Sequence, residues 1–297
     1  MNKSYKTVSC KKTYKPLQEL NLIDAFLFAV STEKIQDAEF IAKLIIERAT
    51  NEKVDQITVV PEKELTGIDI GHHGIRMDLY VEEHEDRRLA KVYDIEPNKY
   101  NPAELPMRSR YSQSLTDVKL LNSGEAYEIL PEYISIWILP YDPFGKNCMI
   151  YTVKNVVEEF PELLYNDGVK RLFLYVGGEL GGTEKLKDLL HYFSSSQKGN
   201  VTDAELEHLH SIVEKAKHNQ EVGKRYMTLQ DMIDYEKKES YEDGKAEGRE
   251  EGRKEGIVAF VGLATEMQVS NEKILDKLMQ IFALSMEEAK TYLNENN

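Results

Sequence analysis

The sequence has few cysteines, no long hydrophobic run and a deficit of positive charge. Its only cysteines, Cys10 and Cys148, exclude a disulfide scaffold and a cysteine-based zinc site, and such sparse use is typical of a reducing compartment. The longest apolar stretch, residues 134–139, is far shorter than the ~20 residues that a membrane-spanning helix needs. Residues 1–16 lack the apolar segment of a secretory signal. We therefore expect a cytoplasmic protein without a membrane partner.

The charge balance narrows the classes of partner. Acidic residues outnumber basic ones by 52 to 38, a formal net charge of −14, which argues against a protein that coats nucleic acid non-specifically. It does not exclude an enzyme that meets nucleic acid through a small basic patch and bound metal ions. Residues 1–16 contain five lysines and no acid, so we predict a basic flexible arm. Both a solubilising tail and a phosphate-binding arm fit this composition.

Helical and strand patterns alternate along residues 17–182. Alternating or β-branched segments predict strands at 54–60, 74–82, 89–95, 133–139 and 171–176. Helical spacing predicts helices at 21–31, at 36–49 and at 104–121. Asn21 is the expected cap of the first helix, and Met107, Tyr111, Leu115 and Val118 share one face of the third. This order predicts an α/β fold, in which a mixed sheet is flanked by helices.

The remainder of the chain predicts an all-helical extension. Residues 183–243 form a helical region, with Thr202 and Asp203 as a cap. Residues 244–297 begin with glycines at every fourth position from Gly244 to Gly256, interleaved with charged residues, and continue as helices at 257–268 and 271–294. A charged, marginal helix or linker and a close helix–helix contact lined by glycine both fit the glycine-spaced segment.

Two acidic residues are candidates for chemistry. Asp78 lies in the predicted strand 74–82, and Glu96 follows the predicted return strand 89–95. Because side chains alternate between the two faces of a strand, Asp94, Glu96 and Asn98 share one face, and Asp78 can meet them if the strands pair. Carboxylate oxygens at such a point suit Mg²⁺, which takes one or two carboxylates and keeps sites for water and phosphate. A solvated sheet face is the alternative for this acid-rich chain. His72 and His73 lack a further ligand at zinc spacing, so we predict a turn there.

Several motifs in order resemble one family. The segments GIRMDLY, VYDIEPN, LPMRSRYSQSLTDVKLLNSGEAYEIL, ISIWILPYDPFG and MIYTVKN, with the later EGREEGRKEG, resemble the recombination-promoting nuclease and transposase family of the PD-(D/E)XK nuclease superfamily. The resemblance covers residues 17–260. It implies a restriction-endonuclease-like core in residues 17–182 and a metal-dependent DNA endonuclease that uses Mg²⁺ or Mn²⁺.

The resemblance also implies roles for individual residues. Asp78 and Glu96 correspond to the two acids that bind the metal, with the backbone carbonyl of Pro97 as a further ligand and Asp24 as a supporting acid. The third motif position, Lys in much of the superfamily and usually Gln in this family, is Asn98 here, which would position water or the scissile phosphate.

The helix after these motifs would bind DNA. The resemblance places it beside the active site, and its polar side chains suit phosphate contact: Arg108, Arg110, Tyr111 and Gln113. Salt bridges to the nearby acids are the structural alternative. We expect a DNA endonuclease. Two protomers could make a double-strand cut, and the glycine-spaced segment could help to pair them. A nuclease-fold module that binds DNA or protein without catalysis is the second hypothesis, favoured by Asn98 and the net acidity.

Overall fold

The computed structural model describes residues 14–67, 72–97 and 102–295. The chain divides into two compact units, Met1–Tyr226 and Met227–Asn297. The helices are α1 (Ala25–Ser31), α2 (Ile35–Thr50), α3 (Leu105–Leu120), α4 (Glu184–Ser194), α5 (Ala204–Lys217), α6 (Gln220–Glu266), α7 (Asn271–Phe282) and α8 (Met286–Glu295). The strands are β1 (Ile57–Leu65), β2 (Ile75–Glu85), β3 (Arg88–Pro97), β4 (Glu132–Leu139), β5 (Ile150–Val153), β6 (Val156–Val157), β7 (Phe160–Leu164) and β8 (Val169–Tyr175). The mixed α/β class is therefore confirmed, as is the helical C-terminal region.

The first unit is built around a six-stranded mixed sheet with the order β1-β2-β3-β4-β8-β5. Strands β1, β2 and β3 form an antiparallel meander, and α3 then carries the chain across to β4, which is parallel to β3. Strand β8 continues in parallel with β4, and β5 closes the edge in antiparallel orientation. Strand β3 is thus the position at which the sheet changes from antiparallel to parallel pairing.

The β2–β3 hairpin contains two irregularities that set its register. Asp86 and Arg87 both have positive φ, 48° and 67°, as a tight two-residue hairpin turn with right-handed strand twist requires. Next to the turn Glu85 pairs with Arg88, but the register shifts between Glu83 and His84, so that Ala90 is passed over and Glu83 pairs with Lys91. This β-bulge moves every later pair of the hairpin by one residue.

Helices cover both faces of the sheet. On one face, apolar residues of α1, α2, α4 and α5 form a single cluster with inward residues of the strands, among them Ile95, Ile136 and Leu174. On the other face Leu105 of α3 packs with Trp137 and other residues of β4 and β8. These two layers explain why β4 reads as an almost continuous apolar run, since a parallel strand at the centre of a sheet is buried on both sides.

Three details of the first unit differ from the sequence prediction. Helix α1 begins at Ala25 rather than at residue 21, because Asn21 and Asp24 form a turn in which the Asn21 N–H donates to Asp24 Oδ2 at 2.8 Å. The Asn21 carbonyl oxygen Oδ1 accepts instead from the backbone N–H of Ser196, so Asn21 does not cap the helix. Strands β5, β6 and β7 were not predicted.

The face of α3 that packs on the sheet is not the predicted one. Met107 and Val118 are more than half exposed, and Tyr111 is 40% exposed. The buried positions are instead Leu105, Ser109, Ser112, Leu115 and Thr116. Of the four residues predicted to share one face, only Leu115 is buried, because small polar side chains occupy most of the contact with the sheet.

Helices α4 and α5 belong to the same compact unit as the sheet, whereas the sequence analysis placed a boundary at 182/183. Their apolar residues join the cluster of α1 and α2. A buried arginine adds a polar tie, because Arg48 of α2 donates to the Lys185 carbonyl, to Asp203 and to Glu205. Asp203 also caps α5 by accepting from the Leu206 N–H, as predicted.

The second unit consists of helices with a small core of their own, which includes Ile257, Val261, Ile274, Leu278 and Leu293. Residues 271–294, predicted as one helix, form α7 and α8, because Ala283 takes a left-handed conformation with φ 51°. Ser285 and Glu288 then form a capping box at the start of α8.

The glycine-spaced segment lies within α6. A Cβ placed at Gly244, Gly248 or Gly252 meets no atom within 4 Å, so no described helix of this chain packs closely on that face. In the described parts of the chain, none of the helices has the length and apolarity needed to cross a bilayer.

We expect Arg48→Met to lower the free energy of unfolding by about 1–3 kcal/mol, since the Lys185 carbonyl, Asp203 and Glu205 would lose a buried charged donor. Arg225→Met is the matched control, because Arg225 forms an exposed ion pair with Glu33 at 3.0 Å. It should change stability by less than about 1 kcal/mol. Urea denaturation of both variants measures the difference, and equal effects would contradict the structural role of Arg48.

Candidate active site

The site begins with the pairing of β2 and β3. Leu79 lies opposite Ile95 and Tyr80 opposite Asp94, which puts Asp78 opposite Glu96. The backbone N–H of Asp78 donates to Glu96 Oε1 at 3.1 Å, so the two residues lie side by side on adjacent strands. The sequence-predicted proximity of Asp78 and Glu96 is therefore present in the structure.

These two acids line a cleft with a volume of about 1060 Å³ between the sheet and α3. Pro97 and Trp137 contribute to its wall from the ends of β3 and β4, and His73 and Gly74 contribute from the segment before β2. The cleft therefore lies at the carboxyl ends of the parallel strands, where ligands of open α/β sheets commonly bind.

Asp94 is a third acid of this cluster, and the sequence analysis did not select it as a site residue. It is fully buried, and its Oδ2 accepts a hydrogen bond of 2.9 Å from the Tyr133 hydroxyl. Its other oxygen, Oδ1, is buried without a hydrogen-bond partner among the described residues. The strand parity that placed Asp94 and Glu96 on one face was a usable signal, but the burial of that face could not be read from the sequence.

Burial dominates the electrostatics of the three acids. It raises the pKa of Asp94 to about 7 and that of Asp78 to about 6, and it holds the pKa of Glu96 well above its usual range. Repulsion from Asp94 and Asp78 raises the pKa of Glu96 further. Arg108 lowers the pKa of each of the three carboxyl groups, so its guanidinium charge acts on the whole cluster. The cluster thus favours any positive charge, whether proton, guanidinium or metal cation.

Helix α3 supplies cationic and aromatic side chains to the same cleft. Arg108, Arg110 and Tyr111 all line it and are exposed to solvent. The Tyr111 hydroxyl donates to the His73 carbonyl at 2.5 Å, which ties α3 to the segment that precedes β2. Three of the four residues that the resemblance assigned to DNA contact therefore line the same cleft as Asp78 and Glu96.

The other predicted site residues lie elsewhere or outside the described residues. Gln113 is engaged away from the cleft lining, since it accepts from Arg171 at 2.7 Å and donates to Asp117. Asp24 is flanked by the cleft residues Ile23 and Ala25, but its carboxylate accepts from the Asn21 N–H and it does not line the cleft. Asn98 lies outside the described residues, so its predicted role stays a prediction.

The donor set suits a hard divalent cation. Within residues 14–67, 72–97 and 102–295, no three His, Cys, Asp or Glu side chains are arranged as a metal-binding group. An ion here would therefore need ligands besides side chains, and the predicted set of Asp78, Glu96 and the Pro97 carbonyl is of that kind. Oxygen donors with surplus negative charge, facing an open cleft, fit Mg²⁺ or Mn²⁺ better than zinc.

Comparisons of the chain with protein-family models, with curated proteins and with solved structures found no match. The motifs in the sequence and the geometry of the cleft are therefore the observations from which a function can be inferred.

We expect stability without divalent cations to depend on pH through Asp94. Its pKa is about 7 in the folded chain against 3.8 as the ordinary value, so the folded state binds the proton more tightly. That stabilisation is present below about pH 4 and is lost as the pH rises through about 7. Asp94→Asn keeps an acceptor for Tyr133 but cannot ionise, so its stability relative to wild type should rise by about 1–3 kcal/mol between pH 4 and pH 8.

Urea denaturation in EDTA at several pH values measures this difference. A stability difference between the two proteins that stays constant from pH 4 to pH 8 would contradict the assignment of a buried, titrating carboxyl group at Asp94.

Proposed function

We propose that the protein is a metal-dependent DNA endonuclease of the PD-(D/E)XK type, which hydrolyses phosphodiester bonds. The observation that carries this proposal is the direct opposition of Asp78 and Glu96 on adjacent strands, at the floor of a cleft lined by Arg108, Arg110 and Tyr111. The mixed sheet with helices on both faces is compatible with the restriction-endonuclease-like core that the sequence resemblance implies.

Asp78, Glu96 and the Pro97 carbonyl would hold the Mg²⁺ or Mn²⁺ ion. When bound, such an ion neutralises charge on the phosphate and lowers the pKa of a bound water to generate the nucleophile. The β2–β3 pairing sets the two residues side by side before any substrate arrives, and the Asp78 N–H holds the Glu96 carboxylate through Oε1. This preorganisation reduces the cost of bringing two like charges together at the moment of reaction.

Arg108 and Arg110 would hold the DNA backbone. A guanidinium group offers two parallel donors to a phosphate, and both side chains are exposed in the cleft. Arg108 also acts on the three acids, so it would place a bound phosphate next to the carboxylates rather than elsewhere on the protein surface. Tyr111, fixed through the His73 carbonyl, would contact a base or sugar with its exposed ring. Asn98 would orient the attacking water or the scissile phosphate with its amide.

Cleavage of both DNA strands would need two such clefts or two successive events. We include a homodimer in the proposal, with the exposed glycine-spaced segment of α6 as the contact, because backbones can approach closely where no Cβ intervenes.

The first test is cleavage of supercoiled plasmid DNA with Mg²⁺ or Mn²⁺. Asp78→Asn and Glu96→Gln should each lower the rate by about 100-fold or more, because each removes a charged ligand from the ion. Glu83→Gln is the matched control, since Glu83 is a buried acid on β2, the strand of Asp78, and does not line the cleft. A wild-type rate equal to that of the two site variants would refute the catalytic assignment.

The second test concerns DNA binding, measured by fluorescence anisotropy on duplex DNA in the Asp78→Asn background to prevent cleavage. Arg110→Ala should weaken binding about 3- to 10-fold and reduce the salt dependence by about one ion, because one phosphate contact is lost. Gln113→Ala should leave binding unchanged, because its amide is engaged by Arg171 and Asp117. Equal losses for the two variants would contradict the assignment of the cleft as the DNA surface.

A DNA- or protein-binding module without catalysis is the second candidate. The observation that favours it is the position of Arg108, whose charge offsets part of the repulsion among the acids without any metal ion. DNA binding that is indifferent to Mn²⁺, together with no cleavage, would favour the module over the nuclease.

A further inference from the structure

The pair of Asp94 and Tyr133 has a close structural parallel elsewhere in the sheet. Glu83 of β2 is also buried and also accepts a hydrogen bond from a tyrosine, at 2.7 Å from the Tyr93 hydroxyl. Glu83, however, has a cationic partner, because Lys91 Nζ lies 3.5 Å from its carboxylate. The tyrosine and the lysine therefore supply Glu83 with both a hydrogen-bond donor and a compensating charge.

Asp94 lacks such an arrangement. Its Oδ1 has no hydrogen-bond partner of normal geometry among the described residues, although the Ser112 hydroxyl and the Arg108 charge are near enough to lower its pKa. The pairing of β3 with β4 places Ser135 beside Asp94, and Ser135 Oγ is likewise buried without a partner. Since leaving buried polar atoms unsatisfied costs free energy, both atoms point to a requirement other than packing.

The position of Asp94 suggests what that requirement is. It lies two residues before Glu96 on the same face of β3, about 7 Å along the strand, and it pairs with Tyr80, which is two residues from Asp78 on β2. A negative charge buried at this distance attracts a cation held by its neighbours, and burial makes the attraction stronger than it would be in water. The charge therefore favours occupancy of the cleft by a divalent ion.

We propose that Asp94, oriented by the hydrogen bond from Tyr133, is a positioning residue that sets the affinity of the Asp78–Glu96 site for its divalent cation. The inference rests on the proposed function, because it presumes that this pair binds an ion. Asp94 acts through its neighbours rather than as a ligand, and it does not contact the substrate. The Tyr133 hydroxyl holds Oδ2, and Oδ1 is buried without a hydrogen-bond partner among the described residues.

Mn²⁺ binding to the full-length protein, measured by isothermal titration calorimetry without DNA, tests the proposal. Asp94→Asn should weaken Mn²⁺ binding by about tenfold or more, because it removes the buried charge while keeping the shape and the acceptor for Tyr133. Glu83→Gln, the equivalent change in the pair of Glu83 and Tyr93, should leave the dissociation constant for Mn²⁺ within twofold of wild type. A purely structural role for Asp94 would not separate these two variants.

Tyr133→Phe provides a second line of evidence that does not depend on the folding of the Asp94 variant. It should weaken Mn²⁺ binding about 2- to 5-fold because Asp94 loses its orienting hydrogen bond, whereas Tyr93→Phe should not. Circular dichroism verifies that each variant is folded.

The outcomes separate this proposal from the proposed function. Wild-type protein that binds no Mn²⁺ would overturn the cation site itself and the role of Asp94 with it. Binding that is lost in Asp78→Asn but unchanged in both Asp94→Asn and Tyr133→Phe would overturn only the role of Asp94.

Discussion

The register of the β2–β3 hairpin is the constraint on which the site depends. At the turn, Glu85 pairs with Arg88, and an uninterrupted ladder from that pair would place Asp78 opposite Ile95. The bulge at Ala90 shifts the pairing by one residue and brings Asp78 opposite Glu96 instead. Because opposed residues share a face and successive residues alternate, a hairpin without the bulge would send the two carboxylates to opposite sides of the sheet. Without this one extra residue in β3, the two strands would still pair but would not bring the two acids together.

That arrangement has an electrostatic cost, because three acids share a largely buried surface. Burial and mutual repulsion disfavour their charged forms, as the raised pKa values of Asp78, Asp94 and Glu96 indicate. Arg108 and the Tyr133 hydroxyl offset part of this cost. The apolar cluster on the other face of the sheet supplies the stability that lets the chain keep such a surface. A cation would complete the compensation, which is why the same feature that weakens the fold favours binding.

Local pattern predicted much of this architecture, and long-range pairing decided the rest. Alternation along β2 and β3 placed Asp78 and Glu96 in neighbouring strands, since side-chain parity is a local property. That they lie opposite each other on one face depends on the bulge at Ala90, which the alternation did not indicate. Asp94 was missed as a site residue because its burial depends on α3 and on the neighbouring strand β4. Its hydrogen-bond donor Tyr133, at the start of β4, lies 39 positions away along the chain. Gln113 was assigned to the DNA surface because the resemblance places its helix beside the active site. Its partner Arg171 comes from β8, whose place in the sheet no local pattern specifies.

The failed prediction for α3 is itself evidence about the site. A helix that packs on an apolar sheet normally buries its apolar residues, yet α3 buries Ser109, Ser112 and Thr116 and exposes Met107 and Val118. The surface below it contains Asp94 and Ser135, and an apolar stripe there would leave these groups without polar neighbours. Small hydroxyl side chains are compatible with that surface, and the same rotation of the helix turns Arg108, Arg110 and Tyr111 into the cleft. The departure of α3 from simple amphipathic patterning is thus the consequence of the polar patch around Asp94 and Ser135 on this face of the sheet, and the sequence carries that departure as a functional signal.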